Sequence, residues 1–300
     1  MDNTKKKIVS FMNMKGGVCK TTLCVNIANT LATNFKKNVL VIDMDPQFNA
    51  TQYAFGVIFK DNYMGKYKEF KSQRKTIFQL YDDKSNEKTT ENAEEKYSYS
   101  ALFNTNLIDN SYLLKDYIVN VKKNFDMILG DIELIQLQIT QKSGIEKRLF
   151  QYIDANKLRD KYDYILIDSP PTYSFFFISS YLASDTYIIP LKPDFVSSLG
   201  LALLERATTE IIKSHDKVIQ SLGIVYTLID PRNKIHEPII QDIESNTDAK
   251  NIFKSYIKYL KSIPDGVRNN SFMLDISENG INKDIIRITE EFISRMEGKM

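Results

Sequence analysis

The sequence predicts an α/β fold, an open, mostly parallel twisted sheet with helices on both faces. Apolar, β-branched runs alternate along the chain with stretches of helical spacing. Strand, helix and strand also follow one another within the first 43 residues, a βαβ arrangement that requires parallel pairing. Several of the apolar runs end in loops that carry aspartate, and such sheets hold their ligands at the carboxyl ends of strands.

In chain order, residues 8–13 read as a short buried strand, and 23–35 as a helix with Leu23, Ile27, Leu31 and Phe35 spaced by four. Val39–Asp43 is a second buried strand, stopped by Pro46, which cannot continue a central strand. Residues 56–122 are the least legible. A short helix is expected at 76–81, and the polar stretch 82–99 reads as an exposed or disordered insertion. Strands are then expected at 125–130, 162–168, 186–191, 222–229 and 251–257. Helices are expected at 145–159, 175–182, 199–213, 238–244 and 281–296. The whole chain, 1–300, reads as one domain with a variable insertion at about 56–122.

Lys and Arg total 40 against 38 Asp and Glu, a net charge of +2, so any nucleic-acid surface must come from local clusters. Two cysteines, Cys19 and Cys24, are too few for a disulfide framework or a Cys₄ zinc site. The start lacks the apolar stretch of a signal peptide and no membrane-length apolar run appears, so a cytoplasmic protein with no membrane partner is expected. His215 and His236 lack metal-ligand spacing and read as surface residues.

Between the first strand and helix stands Met14-Lys15-Gly16-Gly17-Val18-Cys19-Lys20-Thr21-Thr22. Strand, glycine loop and helix is the context of a phosphate-binding loop: backbone N–H groups form an anion nest and the helix adds its positive end. Gly16 through Thr22 are the candidate cradle, Lys20 can reach β/γ-phosphates, and the Thr21 hydroxyl can sit on Mg²⁺. As G-x-x-x-x-G-K-[ST] the loop fails twice, because Met14 and Cys19 stand where glycines would be. As K-G-G-x-x-K-T-T it is a variant with a second lysine, Lys15. Alternation puts Asp43 and Asp45 on one side of an extended chain, Asp43 toward a metal's water shell and Asp45 toward an attacking water. Asp168 ends a buried strand downstream of a phosphate loop, where a carboxylate can hold Mg²⁺ through its waters. A thiol at a helix N-terminus, as at Cys19, is expected to have a lowered pKa.

These motifs resemble the ParA/MinD family of ATPases. The glycine loop looks like the family's deviant Walker A box, and Asp168-Ser169-Pro170-Pro171 resembles its Asp-x-Pro-Pro. Asp43-Met44-Asp45-Pro46-Gln47-Phe48-Asn49 resembles its Asp-x-Asp-Pro-Gln-Gly-Asn, with Phe48 in place of the glycine. The resemblance implies a P-loop NTPase-type fold that uses ATP and Mg²⁺. It also implies an ATP-dependent homodimer in which Lys15 crosses to the partner's phosphates, with Lys20 and Asp45 completing the catalytic set and Thr21, Asp43 and Asp168 serving the metal. The later part looks most like ParA/Soj-type partition proteins. That likeness implies non-specific DNA binding through Arg232 and Arg268, and slow hydrolysis stimulated by a ParB-like centromere-binding protein. Lys250, Lys254, Lys258 and Lys261 are spaced to share a helical stripe nearby, which competes with the strand expected at 251–257. With seven residues ahead of the first strand the chain resembles the short form of the group, nucleoid-associated in the cytoplasm. A MinD-like membrane ATPase and a weakly hydrolysing nucleotide binder, limited by Cys19, are the alternatives.

Overall fold

The computed structural model describes residues 6–82, 115–137, 144–230, 232–233, 235–259, 271–277 and 280–299. Seven strands form one sheet: β1 Ile8–Phe11, β2 Val39–Asp43, β3 Val119–Lys122, β4 Phe125–Ile128, β5 Tyr164–Asp168, β6 Thr186–Leu191 and β7 Gln220–Tyr226. Their order is β3-β4-β2-β5-β1-β6-β7. All pairs are parallel except β3 with β4. The helices are α1 Lys20–Thr33, α2 Asn49–Phe59, α3 Tyr63–Ser72, α4 Phe78–Tyr81, α5 Leu134–Leu137, α6 Arg148–Ala155, α7 Leu158–Lys161, α8 Phe175–Ala183, α9 Ser197–His215, α10 His236–Ser245 and α11 Ile281–Met296.

Successive strand residues point to opposite faces, so each central strand feeds two cores. Val9, Val41 and Leu166 pack with α1, α2 and α11, while Ile8, Ile42 and Ile165 pack with α6 and α8. Covered on both sides, β1, β2 and β5 are buried at every residue, which is why they read as unbroken apolar runs. The carboxyl ends of β1, β2 and β5 lie side by side, and the glycine loop and both acidic loops leave from them.

Four expectations are corrected: the helix at 145–159, the strand at 251–257, the lysine stripe beside it, and the surface placement of His236. The predicted helix at 145–159 is divided into a 3₁₀ turn at Ile145–Lys147, α6 and α7. Its break falls at Asn156, whose side-chain amide bonds back to Tyr152 O, and at Lys157, with φ 50°. Residues 251–257 do not form a strand. They run beside β7 and meet it only at isolated bridges, Ile224–Ile252 and Ile229–Lys258. The Lys254 N–H is diverted to the Glu291 carboxylate on α11. The same path rules out a helical stripe through Lys250, Lys254 and Lys258, and Lys261 lies outside the described residues. Within 56–122, the described residues form the end of α2, then α3, α4 and β3, while the polar stretch from 83 onward lies outside the described residues. Finally, His236 is buried, and its Nδ1 accepts from Asp230 N.

α11 occupies the bounds its spacing predicted, with Ile281, Ile285, Ile288, Phe292 and Met296 all buried. Arg295 fastens it, donating to the Leu222, Lys250 and Ile252 carbonyls and to Glu291.

Candidate nucleotide site

The glycine loop is held at its entry by Asn13, which donates to Pro190 O and accepts from Lys15 N. Gly17 has φ 71°, and a Cβ at Gly16 or Gly17 would meet nothing within 4 Å. The backbone there faces open space, as an anion nest requires. The Val18 side chain is buried and its carbonyl accepts from Thr227 Oγ1, so Val18 offers the site only its N–H. Cys19 starts α1 in the left-handed region, φ 61° and ψ 29°. That conformation costs an L residue about 1–2 kcal/mol and suits the glycine it replaces.

Lys20 is buried beneath the loop and donates to Lys15 O at 2.9 Å. Burial pushes its ammonium below the ordinary value, while Asp168 and Asp45 oppose that shift. Thr21 Oγ1 donates to Asp168 Oδ2 at 2.7 Å. Asp43 Oδ2 accepts from both Thr51 N and Thr51 Oγ1 at 2.8 Å. The other oxygen of each carboxylate, Asp43 Oδ1 and Asp168 Oδ1, is buried with no hydrogen-bond partner among the described residues. Burial pushes both acids up, Asp168 to about 7 and Asp43 well above the usual carboxylate range, where the charge of Asp168 adds to the effect. Asp45 accepts from Gln47 N at 2.9 Å and is raised by burial, with the Gln47 N–H and Lys20 pulling it down.

A cavity of about 360 Å³ opens over this arrangement, lined by the glycine loop, Asp45, Gln52, Tyr53, Pro171 and Leu228 among others. It has room for a phosphate chain and the rest of a nucleotide. A hydroxyl and two orphaned carboxylate oxygens are hard oxygen donors, the kind Mg²⁺ takes when it keeps several waters. Among the described residues no three His, Cys, Asp or Glu side chains converge on a metal position, so an all-protein cage is not what is built here.

The structure therefore brings together the loop, Asp43, Asp45 and Asp168. It holds Lys15 apart: its ammonium forms an ion pair with Asp194, on the loop after β6. Arg232 is exposed and paired with Asp230 beyond β7, and Arg268 lies outside the described residues. The Cys19 thiol departs from expectation. Burial pushes it up to about 11, outweighing the Thr22 hydrogen bond and the cations of Lys192 and Lys20. The sequence reading missed Thr51 and Asp194. Thr51 lies eight residues beyond Asp43 on the first turn of α2, a readable signal, whereas Asp194 is 179 residues from Lys15 and carries none.

A mostly parallel sheet with a lysine-bearing glycine loop after β1, and acids ending β5 and β2, the next two strands to one side, defines a P-loop nucleotide-binding protein. Residues 6–221 match the family model described as an AAA domain, and the chain belongs to the ParA/MinD family of P-loop ATPases. Among its relatives is the virulence plasmid ParA family protein pGP5-D of Chlamydia psittaci, 26% identical over 294 residues, covering 97% of this chain and 95% of that one. The sporulation initiation inhibitor protein Soj of Bacillus subtilis is 27% identical over 256 residues, 84% of this chain and 83% of Soj. A solved plasmid partition protein from Borrelia burgdorferi shares the fold, with TM-score 0.65 and 21% identity, covering 97% of this chain and all of that one.

Proposed function

We propose that the chain is a DNA-partition ATPase of the ParA type. ATP binding assembles a homodimer that holds DNA without sequence preference, and hydrolysis, slow until a ParB-like centromere-binding protein stimulates it, releases the DNA. The observation that carries the hydrolytic part is the pair of buried, half-satisfied carboxylates, Asp43 and Asp168, beside Thr21 and Lys20. The likeness to pGP5-D over nearly the full length of both chains supports the partition reading.

In this reading the backbone of Gly16 to Thr22 cradles the phosphates, and Lys20 leaves Lys15 O to meet the β/γ-phosphates. Asp45 orients the attacking water. Thr21, with Asp43 and Asp168 through water, holds Mg²⁺, which when bound neutralises charge on the phosphates. Lys15 exchanges Asp194 for the partner's phosphates and neutralises charge that develops in the transition state. Arg232 and Arg268 supply cations to DNA in the cytoplasm, at the nucleoid. A membrane role is disfavoured by α11, whose apolar stripe is spent on the core and whose Arg295 and Glu291 are buried together.

The deciding experiment measures ATP hydrolysis with and without DNA, and DNA retention with ATP at low and high salt. Hydrolysis together with ATP-dependent, salt-sensitive retention, weakened in Arg232→Ala, is expected. Retention that ignores both salt and ATP sinks the DNA role, and failure to bind ATP sinks the whole reading.

A further inference from the structure

We propose that Tyr67 is a positioning residue for the Asp45 loop: carried on α3, its ring clamps Phe48 and so fixes the backbone from which Asp45 acts. The kinetic part of this proposal rests on the hydrolytic reading above; the structural part does not. Phe48 begins α2 at φ 43° and ψ 37°, the left-handed region that a bulky L residue rarely adopts. Its N–H donates to Asp45 O at 2.8 Å, and its carbonyl accepts from Gln52 N at 3.1 Å. Those bonds tie the acid's own backbone to the strained residue. The Phe48 ring lies against Tyr67, centroids 5.3 Å apart and planes at 14°. This stacked aromatic arrangement is attractive beyond the area it buries when the rings are offset.

The clamp is closed from behind. Tyr67 is buried and donates its hydroxyl to Gly130 O at 3.2 Å. Gly130 N donates to Thr51 Oγ1 at 2.8 Å, and Thr51 Oγ1 donates to Asp43. A Cβ on Gly130 would lie 2.6 Å from Phe48 Cβ and 2.7 Å from Asp43 Oδ2, so only glycine lets the 130 backbone press this close. Asp43, Thr51, Gly130, Tyr67 and Phe48 thus form a continuous chain of contacts behind the loop that bears Asp45. α3 is moored separately, by Lys71 to Asp131 and Glu133, so Tyr67 is delivered from a fixed element. A glycine at 48 would need no such brace. With phenylalanine there, the stack holds a conformation the residue would otherwise leave.

Amide hydrogen exchange across residues 45–52 and steady-state ATP hydrolysis test this in Tyr67→Leu, Tyr67→Phe, Phe48→Gly and the double variant Phe48→Gly/Tyr67→Leu. Tyr67→Leu should speed exchange at 45–52 about three- to tenfold and lower kcat by a similar factor, with KM for ATP within about twofold. Tyr67→Phe keeps the stack while losing the hydroxyl bond to Gly130 O, and should restore most of both. In the Phe48→Gly background, Tyr67→Leu should add nothing at 45–52. Exchange there as slow as in the unmodified protein, with only the melting temperature lowered, would overturn the proposal, as would a KM that rises in step with the fall in kcat. If the unmodified protein does not hydrolyse ATP, the proposed function fails while the exchange measurement still decides the clamp.

Discussion

Asp43 and Asp168 are register partners across the β2–β5 ladder, and both are fully buried. Two carboxylates so placed resist ionising together in the absence of a cation. Between its ordinary value of 3.8 and about 7, Asp168 keeps a proton in the folded chain that the unfolded chain has released. Stability from this group is therefore lost as pH rises through that window. Without nucleotide or Mg²⁺, the melting temperature should fall by about 2–4 °C between pH 5 and pH 7.5. Asp168→Asn should flatten that slope. A slope unchanged by the substitution, read by thermal denaturation, would remove the pair as its source.

Cys19 combines a left-handed backbone with a thiol raised to about 11. Iodoacetamide should label it slowly at pH 7.5, faster only as pH approaches that value, and more slowly again with ATP bound. Cys19→Gly removes the backbone strain and should tighten ATP binding by a few-fold, measured by fluorescent-nucleotide titration. Rapid labelling at neutral pH that ATP does not alter would contradict the placement of Cys19.

Asp45 lies in the cavity wall facing Lys20, apart from the buried pair. Asp45→Ala should cut turnover at least about a hundredfold, the scale of losing a group that positions the nucleophile, and leave ATP affinity within a few-fold. Single-turnover hydrolysis at the unmodified rate would overturn the assignment.

Lys15 and Asp194 pair at a half-buried position, each about a quarter exposed. Burial works against the charge of Asp194, but Lys15 holds its carboxyl below the usual range. A partly solvated pair contributes little to folding, so Asp194→Ala should change stability by less than about 1 kcal/mol in urea denaturation. Lys15→Ala should leave the fold and ATP binding intact while abolishing hydrolysis, because the role proposed for it is at the partner's phosphates. Normal turnover in Lys15→Ala would remove the trans role.

Arg295 and Glu291 are both under a tenth exposed, and Arg295 also packs over the Phe253 ring at 4.2 Å. Arg295→Ala leaves Glu291 buried with its main partner gone and should cost about 3–5 kcal/mol, read by denaturation. Liposomes of anionic lipid should not sediment the unmodified protein with ATP; co-sedimentation would revive the membrane alternative.

Much of the fold was legible because its signals are local. β1, β2 and β5 are short apolar runs since both faces of a parallel sheet are covered. α11 shows its buried stripe at the spacing of a helix. The illegible parts had no such signal. α3 buries Tyr67 alone among its ten residues, so no stripe marks it. β3 is a four-residue edge strand. Residues 251–257 have strand composition, but the Lys254 N–H among them is taken by Glu291 on α11, a competitor that neighbouring residues do not reveal.

The sequence by itself determined the alternation of the central strands with their main flanking helices, the glycine loop, and the three acids Asp43, Asp45 and Asp168, because periodicity and turn chemistry are written in adjacent residues. Only the tertiary structure decided that Lys15 is held by Asp194, that desolvation pushes the half-buried Cys19 thiol up, and that Phe48 meets Tyr67. Those outcomes depend on desolvation and on partners brought from distant points of the chain, and neither is encoded in the residues alongside.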